Sequence, residues 1–435
     1  MMLANPATGL IGLAVLLALI LGGVRIGAAL GLVGVVGLMI VLGPEAAVIK
    51  AGVVTIETLT RYELGTLPLF LLMAHLLLAA NASTDMFNAA ASFIGHRRGG
   101  LAYAAIAGCA GFGTINGSSL ATAATIGSVA LPEMRRRGYS DSLATGTVAA
   151  GGTLGQMIPP SGALIVFGII AQASIGELFT AAIVPGITQA LFYFVVIWLV
   201  VRWKPEIAPP SDRVEWPARW RALGKIWDVV ALVLLIIGGI ALGWVSPPEA
   251  AALGAAGALA IAALRRRLNR AMLFDAFEGA LKTSGMIFLI LIGALVFSVF
   301  VGVTGLAEGA SAAVAAMHLG PTGTLVAIAL LLLVLGSVLD GLALMLLTTP
   351  ILLPIVQHAG MTPIWFGIFI TRAMEMGFVH PPLGMNLYVI QGVAKDVSIG
   401  RIFKGVAPFL ASDFVHLFLL IVVPGLALWL PGVLS

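Results

Sequence analysis

Two places in this sequence carry side chains whose types and spacing could do chemistry. One is Asn116-Gly117-Ser118-Ser119, a small polar cluster in the middle of the apolar run Leu101–Pro132. The other is Asp340, a carboxylate inside LLLLVLGSVLDGLALMLL. Neither setting resembles a nucleophile with its base. An acid in an apolar run is costly unless it is paired or holds a cation, so Asp340 reads either as a cation ligand or as a helix cap satisfied by neighbouring amides. Downstream of each place lies a proline pair, Pro159-Pro160 and Pro381-Pro382. Proline interrupts a helix, leaving carbonyls free for a cation, and helix starts offer amides to an anion. In lipid such interruptions survive only where they are buried in protein or face water, which is the arrangement of a transport site.

Asn116, Gly117, Ser161, Arg372, His380 and Asn386 flank these breaks and are the candidates for solute contact. Arg372 and Glu375 stand at i,i+3, so they form a structural ion pair or leave Arg372 to meet a carboxylate. His380, just before Pro381, is a cavity-lining donor or a proton-sensitive ligand. His75, His416 and the single Cys109 sit on apolar faces and read as packing.

The elements that position these residues must lie in a membrane. Hydrophobic residues are 60% and charged residues 10% of the 435, and mean hydropathy is +1.10. A soluble domain carries roughly a quarter charged residues. The chain therefore reads as an all-α polytopic membrane protein. Met1–Thr8 lacks the basic start of a cleavable signal, so the first apolar segment is expected to stay as a span. No P-loop lysine, metal-ligand His pair or GxSxG elbow occurs, which argues against an enzyme and against a nucleotide as the energy source.

The pattern is written twice. A shift of 222 residues carries Pro132 to Pro354, Gly138 to Gly360, Gly155 to Gly377, Pro159-Pro160 to Pro381-Pro382, Gly162 to Gly384, and Ser118 to Asp340. These are two of the four Pro-Pro pairs in the chain, so the match is a repeat and not a coincidence of composition. Each half is expected to hold about five spans, one re-entrant hairpin and one broken helix. The first half covers 1–201, with its hairpin at 101–132 and broken helix at 140–171. A cytoplasmic linker follows at 202–225. The second half covers 226–435, with hairpin 321–354 and broken helix 363–393. Charge gives the orientation. Arg97-Arg98 and Arg135-Arg136-Arg137 bracket the first hairpin, so both its ends face the cytoplasm under the positive-inside rule. The corresponding His318–Pro321 and Ile355–Gly360 have no Lys or Arg, and the loop after the second break carries Lys395, Arg401 and Lys404. The halves are thus expected to be inverted, and a channel would not need a duplicated hairpin of opposite charge bias. Pro44–Glu63 reads as an interfacial amphipathic stretch, and Trp203, Trp244 and Trp429 as interface anchors.

Asn116-Gly117-Ser118-Ser119, the run Ile126-Gly127-Ser128 through Pro132, Ile158-Pro159-Pro160-Ser161 and His380-Pro381-Pro382-Leu383-Gly384 together resemble the large membrane subunit of tripartite ATP-independent periplasmic (TRAP) transporters, the DctM-like family of the ion transporter superfamily. The resemblance covers essentially the whole chain. It implies an elevator mechanism in a bacterial inner membrane, coupling to two or more sodium ions, a separate small DctQ-like membrane subunit, and a periplasmic binding protein that delivers a carboxylate. It implies one sodium site from Ser118 and Ser119 with carbonyls near Gly152, Gly155 and Ile158, and a second from Asp340 with carbonyls near Gly377, Val379 and Pro381. The family more often has Ser-Gly-Ser where this chain has Asn116-Gly117-Ser118, and Thr where it has His380. A stand-alone sodium-coupled di- or tricarboxylate carrier of the same superfamily is the alternative.

Overall fold

A computed structural model describes residues 5–337, 339–381 and 384–434. Those residues form helices and short turns. The first half runs α1 (Pro6–Leu21), α2 (Ile26–Leu42), α3 (Pro44–Thr60), α4 (Thr66–Ala79), α5 (Ala82–Ile94), α6 (Gly100–Asn116), α7 (Ser119–Arg136), α8 (Asp141–Met157), α9 (Gly162–Ala171) and α10 (Ile175–Trp203). The linker contains the short helix α11 (Trp216–Leu223). The second half runs α12 (Trp227–Ala241), α13 (Pro247–Leu264), α14 (Arg270–Thr304), α15 (Leu306–Ala316), α16 (Gly320–Gly336), α17 (Gly341–His358), α18 (Pro363–Val379), α19 (Met385–Val393), α20 (Ile399–Val422) and α21 (Gly425–Leu434). Among the described residues six helices are long and apolar enough to cross a bilayer, or eight if each bent pair counts as one span.

The shift of 222 residues maps these elements onto one another: α7 lands on α17 and α8 on α18 residue for residue. Even the caps repeat. The Ser140 hydroxyl accepts from the amide of Leu143 at the start of α8, and the Thr362 hydroxyl from the amide of Trp365 at the start of α18. The helices of the two halves also pack in exchanged pairs, α2 on α14 and α4 on α13, α8 on α20 and α18 on α10, α7 on α19 and α17 on α9. Such an exchange is what a two-fold relation between the halves produces. One difference is instructive. In the first half a 3-10 turn at Tyr62–Gly65 separates α3 from α4, whereas their counterparts are fused into the single 35-residue α14. The first hairpin also runs on through Pro132 to Arg136. Proline inside a membrane helix removes one hydrogen bond, and neighbouring helices can satisfy the freed carbonyl.

Two layers follow from the packing. α2, α4, α13 and α14 pack against one another as a frame. The hairpins α6–α7 and α16–α17 pack with α8, α9, α18 and α19 as a second body. Val48, Ile49, Val53, Ile56 and Leu59 on α3 stay exposed, as do Trp203, Trp244 and Trp429, consistent with a surface that lipid covers.

Candidate functional site

Both hairpins turn at a helix start capped by the residue that composition singles out. α6 ends where Gly117 adopts φ +60°, and its amide closes onto the carbonyl of Gly113 at 2.9 Å. That left-handed conformation suits glycine. A Cβ there would also lie 2.9 Å from the Pro160 carbonyl oxygen, so the hairpin tip rests directly on the first break. Ser118 then caps α7, its Oγ accepting from the Ala121 amide at 3.4 Å. At the equivalent position Asp340 caps α17, accepting from Leu342 N at 3.0 Å and Ala343 N at 3.4 Å. Cap and cation ligand were alternatives for Asp340 on sequence. The geometry is that of a cap whose carboxylate also lines a cavity, and among the described residues no ion pair involves it.

The breaks are local consequences of proline. Ile158 is extended, as the residue before a proline must be, and the Pro159–Pro160 peptide is cis. α8 and α9 meet at 42°. Ser161, fully buried, starts α9 with its hydroxyl 3.5 Å from the Leu164 amide. In the second half α18 stops at Val379 and α19 starts at Met385. Pro382 lies outside the described residues, and Pro381 is exposed. Each hairpin packs on its break through glycine: a Cβ on Gly113 would lie 2.5 Å from Gly155 Cα, and one on Gly377 would lie 2.7 Å from the Gly336 carbonyl oxygen. Small residues allow this approach of backbones. Gly152 faces Ser119 and Asn386 in the same way.

A cavity of about 210 Å³ joins the tips of both hairpins. Asn116, Gly117, Ser118 and Ser119 line it with Asp340, together with Gln156, Pro160 and Gly162 from the first break and Leu342 and Phe378 from the second half. Leu67, Phe70 and Leu71 of α4 and Thr283, Met286 and Ile287 of α14 form the facing wall. The cavity thus lies between the frame and the hairpin body, and residues 222 apart meet in it: Ser118 with Asp340, Leu120 with Leu342, Gln156 with Phe378.

Other expected residues lie elsewhere. Asn386 is buried and bridges the halves, its Nδ2 donating to Ser119 Oγ at 2.9 Å and to the Ala149 carbonyl at 3.0 Å. Arg372 is fully buried outside the cavity. Its Nη1 pairs with Glu375 at 3.0 Å, its Nη2 with Asp413, and its Nε donates to His416 Nδ1 at 3.1 Å. His416 meets Thr188 Oγ1 of α10 at 2.9 Å, so it belongs to a polar cluster and is not mere packing. His380 is likewise outside the cavity, its ring edge-on to Phe414. Gly377 and Val379 are buried at the end of α18.

Gln156 is the lining residue the sequence argument missed. It is 6% exposed, and its Oε1 has no hydrogen-bond partner among the described residues. Its signal was available: an amide three residues before a proline pair, in a segment otherwise free of large polar groups. Cys109 is buried.

Comparisons with known proteins agree with this architecture. Residues 13–426 match the family model described as the tripartite ATP-independent periplasmic transporter, DctM component. The chain is 33% identical over 408 residues to the C4-dicarboxylate TRAP transporter large permease protein DctM of Pseudomonas aeruginosa, covering 93% of each. It is 33% identical over 414 residues to the isethionate TRAP transporter permease protein DctMQ of Oleidesulfovibrio alaskensis, covering 92% of this chain and 64% of that one. Among solved structures, the YdaH transporter of Alcanivorax borkumensis shares the fold, with TM-score 0.61 and 15% identity over 87% of this chain and 89% of that one. The chain belongs to the DctM family of TRAP transporter large permease proteins.

Proposed function

We propose that this chain is the permease subunit through which a small organic acid, delivered by a periplasmic binding protein, enters the cell with sodium ions. The single observation that supports it best is the cavity shared by the two hairpin tips, where Ser118 and Asp340 cap equivalent helices on one space. Sodium is cargo here. Its ligands would be Ser118, Ser119 and Asp340, with carbonyls at the ends of α8 and α18, which lack the amides a continuing helix would supply. The acid would take the adjoining amides at the starts of α7 and α9. The two halves face opposite sides of the inner membrane, as their charge bias requires. The hairpin body moves past the α2, α4, α13 and α14 frame, carrying the cavity with it. The small DctQ-like subunit packs against that frame. The stand-alone carrier has less support, because the two relatives named above are TRAP transporter permease proteins.

Asp340→Asn tests this. Asn caps a helix about as well as Asp, so the variant should insert and melt like the parent. Sodium-driven uptake in vesicles containing the binding protein should fall to background. Full uptake by Asp340→Asn would remove Asp340 from the ion site.

A further inference from the structure

The cavity has a charge pattern that selects among acids. Among its described lining residues there is no Lys, Arg or His. Val338, Pro382 and Leu383, which lie outside the described residues, are apolar by sequence. Among the described lining residues the one ionisable side chain is itself an acid, Asp340. Two aromatic rings line it, Phe70 from the frame and Phe378 from α18. Phe378 stands at the repeat position of Gln156, so one wall offers an amide where its counterpart offers a phenyl ring.

Gln156 supplies the second, independent sign of a ligand. The Gln156 side chain is buried, and an amide oxygen without a partner among the described residues is unfavourable until something matches it. Which of its two amide atoms faces the cavity is an assignment that a rotation reverses, so the same side chain can present donors to an anion. Beside it the first turns of α7 (Ser119, Leu120) and α9 (Gly162, Ala163) line the same space. Their leading amides have no helical acceptors and favour negative charge.

We propose that the cavity takes a small monocarboxylate with an uncharged apolar body in preference to a dicarboxylate; this rests on the permease assignment above and narrows it. One carboxylate is met by the amides of α7 and α9 and by Gln156. The body lies against Phe70 and Phe378. A second carboxylate would reach those rings with no cationic side chain to pair with. A site that leaves a desolvated charge unpaired rejects that ligand strongly. The volume, about 210 Å³, admits a small organic acid.

The test uses the full chain with its small membrane subunit in nanodiscs, without the binding protein, so that only the permease cavity discriminates. Direct binding of radiolabelled 3-methylbutanoate and of radiolabelled succinate, which are similar in size, is measured with and without sodium. The expected result is sodium-dependent binding of 3-methylbutanoate at least tenfold tighter than succinate. Gln156→Leu should weaken it about tenfold, and Phe378→Arg should raise succinate binding relative to 3-methylbutanoate by at least as much. Sodium-dependent succinate binding as tight as that of 3-methylbutanoate overturns the monocarboxylate preference and leaves the permease assignment standing. Sodium-dependent binding of neither acid, in protein that melts cooperatively, overturns both.

Discussion

Replacing Asn386 by Leu removes a buried side chain of the second half that holds the first hairpin directly. Two hydrogen-bonded contacts vanish: the one with Ser119, where Nδ2 donates to Oγ at 2.9 Å and Oγ lies 3.2 Å from Oδ1, and the one from Nδ2 to the Ala149 carbonyl at 3.0 Å. At about 1 kcal/mol net each, they account for roughly 2 kcal/mol. The Ser119 hydroxyl, only 2% exposed, is then stranded, which brings the expected loss to about 3 kcal/mol. Ser119→Ala alone loses one bond, about 1 kcal/mol. In the double variant no hydroxyl is stranded, so adding Ser119→Ala to Asn386→Leu should restore about 1 kcal/mol instead of costing it. The assay is equilibrium unfolding in mixed micelles, in sodium-free buffer so that ion binding does not contribute. The same variants in sodium buffer should show a weaker sodium-dependent stabilisation, because Ser119 no longer has its orientation fixed. If Ser119→Ala costs the same in both backgrounds, within about 0.5 kcal/mol, the two side chains do not interact and the coupling of the halves through Asn386 is refuted.

Two more outcomes follow from the charged clusters. Arg372→Met leaves Glu375 and Asp413 buried without their cation, and breaking a buried pair this way costs about 3–5 kcal/mol; the yield of folded protein and its unfolding free energy should fall accordingly, and an unchanged yield and stability would contradict the pairing. At the base of the first hairpin Arg135 grips Asp396 of the second half through Nη1 at 3.0 Å and Nη2 at 2.7 Å, and that hydrogen bonding holds the Asp396 carboxyl below its ordinary range. A carboxyl depressed on folding contributes above its unfolded value, about 3.9, and loses that contribution as pH falls through the folded value. Asp396→Asn should therefore be less stable than the parent near neutrality and match it in acid, and a difference that persists or grows toward low pH would argue against the clamp.

How much of this was visible in the residues depends on what kind of residue carried the signal. The turns and breaks were legible because proline and glycine act on their own backbone. Pro159-Pro160 separates α8 from α9 within the stretch expected to be broken, and Gly117 turns the hairpin at its polar cluster. The doubling was legible because backbone-special residues recur at one spacing. What stayed hidden was set by tertiary contact. Arg372 and Glu375 are neighbours on one helix, but Asp413 and His416 join them from α20, about forty positions away, and nothing local marks that meeting. The separation of α3 from α4 falls where the amphipathic stretch Pro44–Glu63 ends, but the fusion of their counterparts into α14 has no local mark. Gln156 differs: its position three residues before a proline pair was legible, while its place on the cavity wall was not.

The central claim is that two copies of one folding unit, facing opposite ways, bring their hairpin tips to a common cavity. Sidedness tests it most directly. Cys109 is buried, so the natural chain offers little background to a membrane-impermeant thiol reagent. Single cysteines at the exposed Arg136 and Gln357, at the far ends of α7 and α17, should label from opposite faces of oriented membrane vesicles, Arg136→Cys from the cytoplasmic side and Gln357→Cys from the other. Labelling of both from the same face would contradict the inverted arrangement.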